Sequence, residues 1–132
     1  MKRNLISVIT LLATSTLVGI SSPANAKPSS YHKSCNNISV HGNILSANCS
    51  RPNGTVNQTG IVLRGIENVN GTLKVTKLGK FSNYQLSCSN IHSRGNVLLA
   101  NCRRINGTAK RTSIVLQGIE NINGVLKYTS SP

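Results

Sequence analysis

Leu45, Ala47 and Cys49 alternate with Ser46, Asn48 and Ser50. A period of two puts one set on the buried face of a strand and the other on its outer face. Fifty-three residues later, Leu98, Ala100 and Cys102 alternate with Leu99, Asn101 and Arg103. The inner set is identical in both places, while the outer set keeps only its Asn. Turn signals punctuate these runs. Gly42-Asn43 and Gly95-Asn96 are hairpin signals, and Asn53-Gly54 and Asn106-Gly107 are stronger ones. Asn70-Gly71 and Asn123-Gly124 mark a third turn, before Leu73-Lys74-Val75 and Leu126-Lys127-Tyr128. Ile61-Val62-Leu63 and Ile114-Val115-Leu116 are apolar runs too short to type by period. The expected class is mostly β.

The shared pattern is a duplication. Laid over each other without a gap, residues 35–76 and 88–129 share 26 identities in 42 positions. The match reaches back to Tyr31 over Tyr84, so the repeats run 31–76 and 84–129. Residues 77–83 form a linker whose expected flexible points are Gly79 and Ser82. A repeat of this size, with few large apolar side chains, buries little surface alone. One pseudo-symmetric domain built from both copies is therefore expected over residues 27–132.

Residues 1–26 carry another pattern. Lys2 and Arg3, an interrupted apolar run from Leu5 to Ile20, and Ala24-Asn25-Ala26 follow the order of a secretory signal peptide. The run is short for a membrane span. Cleavage after Ala26 makes the protein secreted or periplasmic, where disulfides are the expected state of cysteine. Cys35 and Cys49 are each seven residues from Gly42, and Cys88 and Cys102 are each seven from Gly95. Residues equidistant from a turn face each other across an antiparallel pair. This selects the pairs Cys35–Cys49 and Cys88–Cys102. A zinc site is disfavoured by the lack of a C-x-x-C spacing.

Charge narrows the chemistry. The 132 residues hold 15 Lys and Arg against two acids, a net charge of +13. The acids are Glu67 and Glu120, at the same place in the two repeats, and Asp is absent. Glycosidases need two carboxylates close together, and Mg²⁺ or Ca²⁺ sites need several. A Ser-His-Asp triad is excluded. His32, His41 and His92 fall on Gln85, Arg94 and Ser39 in the other copy and read as solvated. No enzyme activity, cofactor or metal is expected. Three Tyr and one Phe leave little for base stacking, so no nucleic-acid partner is expected either. The excess of cations instead suits adhesion to anionic polysaccharides or cell-envelope surfaces.

The repeat, the spacing of Tyr31, Cys35 and Cys49, and its copy at Tyr84, Cys88 and Cys102 resemble the cyanovirin-N homology family of lectins. IENVNGTLK (66–74) and IENINGVLK (119–127) are similar to that family's most characteristic stretch, and LGKFS (78–82) to the start of a typical member. The resemblance implies an elongated pseudo-symmetric β fold whose halves mix strands from both repeats. It implies metal-free binding of mannose-rich glycans at two shallow sites, and a monomer or a domain-swapped dimer.

Carried onto this chain, one site gathers Lys33, Ser34, Ser50, Arg51, Pro52 and Asn53 with Glu120, Asn121 and Asn123. The other gathers Glu67, Asn68 and Asn70 with Asn83, Leu86, Ser87, Arg103, Arg104 and Ile105. Amides, hydroxyls and one carboxylate suit sugar hydroxyls, which both donate and accept. Asn70 and Asn123 stand where the family often has Asp. Leu86 and Ile105 bring apolar groups to the second site, and Arg103 and Arg104 are candidates to hold Glu67 there. The first site is therefore expected to be the better one for a neutral mannoside.

Overall fold

Each repeat forms the same five strands, because each carries the same alternation and the same turns. The computed structural model describes residues 27–131. The signal-peptide expectation for residues 1–26 lies outside the described residues. In the first repeat, β1 (Cys35–His41), β2 (Ile44–Ser50) and β3 (Val56–Val62) form an antiparallel three-stranded sheet. A hairpin of β4 (Ile66–Val69) and β5 (Thr72–Val75) follows. The second repeat gives the sheet β6 (Cys88–Arg94), β7 (Val97–Arg103) and β8 (Ala109–Val115), then the hairpin β9 (Ile119–Ile122) and β10 (Val125–Tyr128). One turn of 3₁₀ helix precedes each sheet, at Tyr31–Lys33 and Tyr84–Leu86.

The turns explain the register. Gly42 has φ +61°, the first central residue of a two-residue turn between the partners His41 and Ile44. That turn is centred between Gly42 and Asn43, which would put Cys35 opposite Ser50. A bulge between Asn36 and Ser39 absorbs one residue, with Asn37 in the left-handed region at φ +50°. Cys35 therefore faces Cys49, and the same device at Asn90 brings Cys88 opposite Cys102. Both pairs are bonded as disulfides. Asn70 and Gly71 both have positive φ, as do Asn123 and Gly124, which fits type I′ hairpins. Asn53-Gly54 differs from its expected two-residue turn. It lies in a five-residue loop between Ser50 and Val56, braced by Asn53 Oδ1 accepting from the Thr55 amide and hydroxyl.

Each hairpin serves the other repeat's sheet. Hairpin β4–β5 packs on β8, where the Leu73 amide donates to Thr112 Oγ1 at 3.1 Å. Hairpin β9–β10 packs on β3, where the Leu126 amide donates to Thr59 Oγ1 at 3.1 Å. The first half of the molecule is thus residues 31–62 with 119–128, and the second is 84–115 with 66–75. The shared core contains Leu45, Ala47, Cys49, Leu73, Leu98, Ala100, Cys102 and Leu126, all buried. Tyr31 and Tyr84 are fully buried and cross between repeats. The Tyr31 hydroxyl donates to the Gly95 carbonyl at 2.8 Å, and the Tyr84 hydroxyl to the Gly42 carbonyl. Burial raises both phenols above their ordinary value, so they stay protonated donors.

The duplication reaches further than the sequence match. The Gly65 amide donates to the Lys80 carbonyl, and the Gly118 amide to the Lys27 carbonyl. The Ser82 hydroxyl accepts from the Ile66 amide, and the Ser29 hydroxyl from the Ile119 amide, both at 2.9 Å. Ser29 and Ser82 are each 2% exposed. Ser82, expected as a flexible point of the linker, is a buried anchor instead.

Candidate functional site

The two sites lie where each hairpin meets the loop after the second strand of its sheet. Asn121 on β9 organises the first. Its Nδ2 donates to Ser34 Oγ and to the Ser50 carbonyl, both at 2.9 Å, and its Oδ1 accepts from the Gly124 amide at 2.7 Å. The type I′ turn is thus tied to the sheet below it. The Arg51 stem lies under Gly124, where an added Cβ would come within 2.9 Å of Arg51 Cγ. Asn57 Nδ2 holds the Gly124 carbonyl from β3 at 2.7 Å. Asn68, Ser87, Arg103, Gly71 and Arg104 repeat this frame in the second site, with Asn68 Nδ2 donating to Ser87 Oγ and to the Arg103 carbonyl. Lys110 Nζ, donating to Thr72 Oγ1 at 2.9 Å, stands in place of Asn57.

Most of the expected site residues therefore belong to two matching assemblies. Ser34, Ser50, Arg51, Asn121 and the Asn123 turn are joined in the first, and Asn68, Asn70, Ser87, Arg103, Arg104 and Ile105 in the second. Asn53 braces its own loop, and Lys33 and Pro52 form exposed rim. Leu86 and Ile105 are exposed rim at the second site, 80% and 91%.

The sites differ in what remains free. Asn70 Oδ1 accepts from the Ile105 amide at 2.9 Å. The residue matching Ile105 in the first site is Pro52, which has no amide hydrogen. The Asn123 carboxamide is accordingly not held in that way. The carboxylates differ too. Glu67 accepts from Asn83 Nδ2 at 3.3 Å and lies 3.5 Å from Lys77 Nζ. The Thr76 hydroxyl, then Lys77 and Asn83, hold its carboxyl below the ordinary carboxylate range. Arg103 and Arg104 do not pair with it, contrary to the expectation from sequence. Instead, the Arg104 guanidinium donates to Thr108 Oγ1. Glu120 has Ser130 and Ser30 in place of Lys77 and Asn83. Among the described residues it forms no ion pair.

Sequence reasoning missed Asn57, Thr59, Thr112 and Lys110, which hold the hairpins from below. Thr59 and Thr112 are identical between copies while residues 56–58 and 60 around Thr59 all change, and that was the available signal.

The CVNH domain model matches residues 31–127. The solved CVNH of T. borchii is 27% identical at a TM-score of 0.64, covering 76% of this chain and 99% of that one. Microvirin, solved as a mannobiose complex, is 27% identical at a TM-score of 0.57, covering 74% of this chain and 95% of that one. A MoCVNH3 variant in complex with (N-GlcNAc)4 is 21% identical at a TM-score of 0.63, covering 74% and 95%, and supports the fold alone. With the family model spanning both repeats and these structures sharing the architecture, the chain belongs to the cyanovirin-N homology family.

Proposed function

We propose that this protein is a non-enzymatic lectin. Its stronger site is the end formed by Ser34, Ser50, Arg51, Glu120, Asn121 and Asn123, and its ligand is a terminal mannose disaccharide of a mannose-rich glycan. The observation that carries this reading is the release of Asn123. Pro52 cannot donate to its carboxamide, whereas Asn70 is bound to the Ile105 amide. Glu120, with no ion pair among the described residues, adds a carboxylate able to accept from adjacent sugar hydroxyls. Binding by this set is metal-free, since the chain's two carboxylates lie in different halves. The mannobiose complex of microvirin supports the ligand class.

The second end presents Leu86 and Ile105, which give a sugar hydroxyl nothing to replace its water. Backbone NMR titration with an α1,2-linked mannobiose tests the reading. Shifts centred on Ser50, Glu120, Asn121 and Asn123 are expected. Larger shifts around Glu67 and Arg103 would reverse the assignment of ends, and no shift at either would remove the mannose reading.

A further inference from the structure

The outer faces of the two three-stranded sheets share a backbone and differ in chemistry. On the first, a shallow recess of about 440 Å³ is lined by Asn37, Ser39, Ser46, Asn48 and Gln58, all neutral. On the second, a recess of about 240 Å³ is lined by Asn90, His92, Arg94, Leu99, Asn101 and Arg111. Gln58 has become Arg111, Ser39 has become His92, and Ser46 has become Leu99. Arg94 and Arg111 are both exposed. Among the described residues the one ion pair is Glu67–Lys77, on the β4–β5 side of the molecule, so neither arginine has a carboxylate partner. Two guanidinium groups without carboxylate partners border one recess, so an incoming anion meets two unpaired cations there.

We propose that this second sheet face is a binding site for an acidic polysaccharide, separate from the hairpin-end sites. Three features select an acidic sugar over a bare anion. Arg94 and Arg111 offer planar forks suited to carboxylates. Leu99 lies between them in the recess, paired across the strands with His92, and gives the C–H face of a pyranose an apolar floor. Asn90 and Asn101 supply amides for ring hydroxyls. His92 Nδ1 lies 2.9 Å from the Asn90 carbonyl, an acceptor only, so it carries the proton and donates there. The imidazole is thereby tied to the recess wall.

The test uses immobilised alginate oligomers, a polyuronate, at about 0.15 M salt, where long-range attraction is largely screened. The variant Arg94→Gln with Arg111→Gln is compared with Lys27→Gln with Lys80→Gln. The second pair removes the same charge from exposed lysines outside the sheet. The first variant is expected to weaken binding at least about tenfold, near 1.4 kcal/mol, and the second by less than about twofold. Leu99→Ser, which copies Ser46 of the other half, is expected to weaken alginate binding and leave inorganic polyphosphate binding unchanged. Mannobiose titration shifts should be the same in all variants, which separates this proposal from the mannose reading. Equal losses in the two double variants would overturn it in favour of diffuse charge. Polyphosphate or duplex DNA binding as tight as alginate, unaffected by Leu99→Ser, would overturn the acidic-sugar identity. Failure of the intact protein to bind alginate would overturn it outright.

Discussion

At the residue scale, one imino acid decides whether the asparagine of the facing turn is held. Pro52 and Ile105 are equivalent, and only Ile105 offers an amide to the Asn of the facing turn. Pro52→Ile should therefore restore that bond to Asn123 and occupy the carboxamide. A ligand competing with an internal hydrogen bond loses about 1 kcal/mol, so mannobiose affinity should fall roughly fivefold. Isothermal titration of the variant checks this, and unchanged affinity would show that Asn123 is not a contact. Glu67 gives a second prediction. Its carboxyl is held below the ordinary range by Thr76, Lys77 and Asn83, so the folded state favours the ionised form. That contribution is present above the unfolded carboxyl value of about 4.3 and is lost as pH falls through the folded value. Urea midpoints of the parent and Glu67→Gln should accordingly converge on acidification. A gap that widens at low pH would contradict the sign. Both features lay partly open to sequence reading. Pro52 and Glu67 were expected at the sites. The missing amide was not foreseen, because it becomes visible only once the Ile105–Asn70 bond is seen across the repeats.

At the element scale, turns and anchors set the register. Alternation in β2 and β7 was readable because inner positions are apolar in both copies. The disulfide pairs were also readable, although the geometry behind them was not. Counting seven residues from Gly42 succeeds only because the bulge at Asn37 offsets a turn centred half a residue later. A bulge has no strong signature in a strand already rich in Asn and Ser. The same polarity hid Ser82, which reads as linker and is buried against the Ile66 amide. Ser82→Ala leaves that buried amide without a partner and should cost about 1–3 kcal/mol. Ser29→Ala should cost a similar amount through Ile119, since it occupies the equivalent place. Chemical denaturation of both variants and of the double variant tests this. A cost for Ser82→Ala near zero would mean that the strand end relaxes to admit water.

At the scale of the whole molecule, the two repeats must fold back on each other, and the chain joins them in a few residues within the second half. β5 ends at Val75 in the second half. The Thr76 amide then donates to the Gly65 carbonyl, and the Lys80 carbonyl accepts from the Gly65 amide, so the chain doubles back tightly. The turn between is closed by the Lys80 amide donating to the Lys77 carbonyl at 3.1 Å, with Leu78 and Gly79 at its centre. Gly79 has φ +83°, as the third position of a type II turn requires. The sequence showed a linker and its glycine, but not that this single turn lets both repeats of one chain reach each other. Both halves need strands from both repeats, so a chain that cannot make the turn can still complete its halves with a second copy. Gly79→Pro removes the turn, because proline is fixed near φ −65° and the turn needs a positive φ at this position. Gly79→Ala strains the turn without forbidding it, by about 1 kcal/mol. Size-exclusion chromatography with light scattering after refolding should therefore show more dimer for Gly79→Pro than for Gly79→Ala, and more for Gly79→Ala than for the parent. Circular dichroism and both disulfides should be unchanged, since each half is rebuilt from the same elements. A Gly79→Pro protein that refolds as a monomer with native stability would show that folding one repeat back on the other does not depend on this turn.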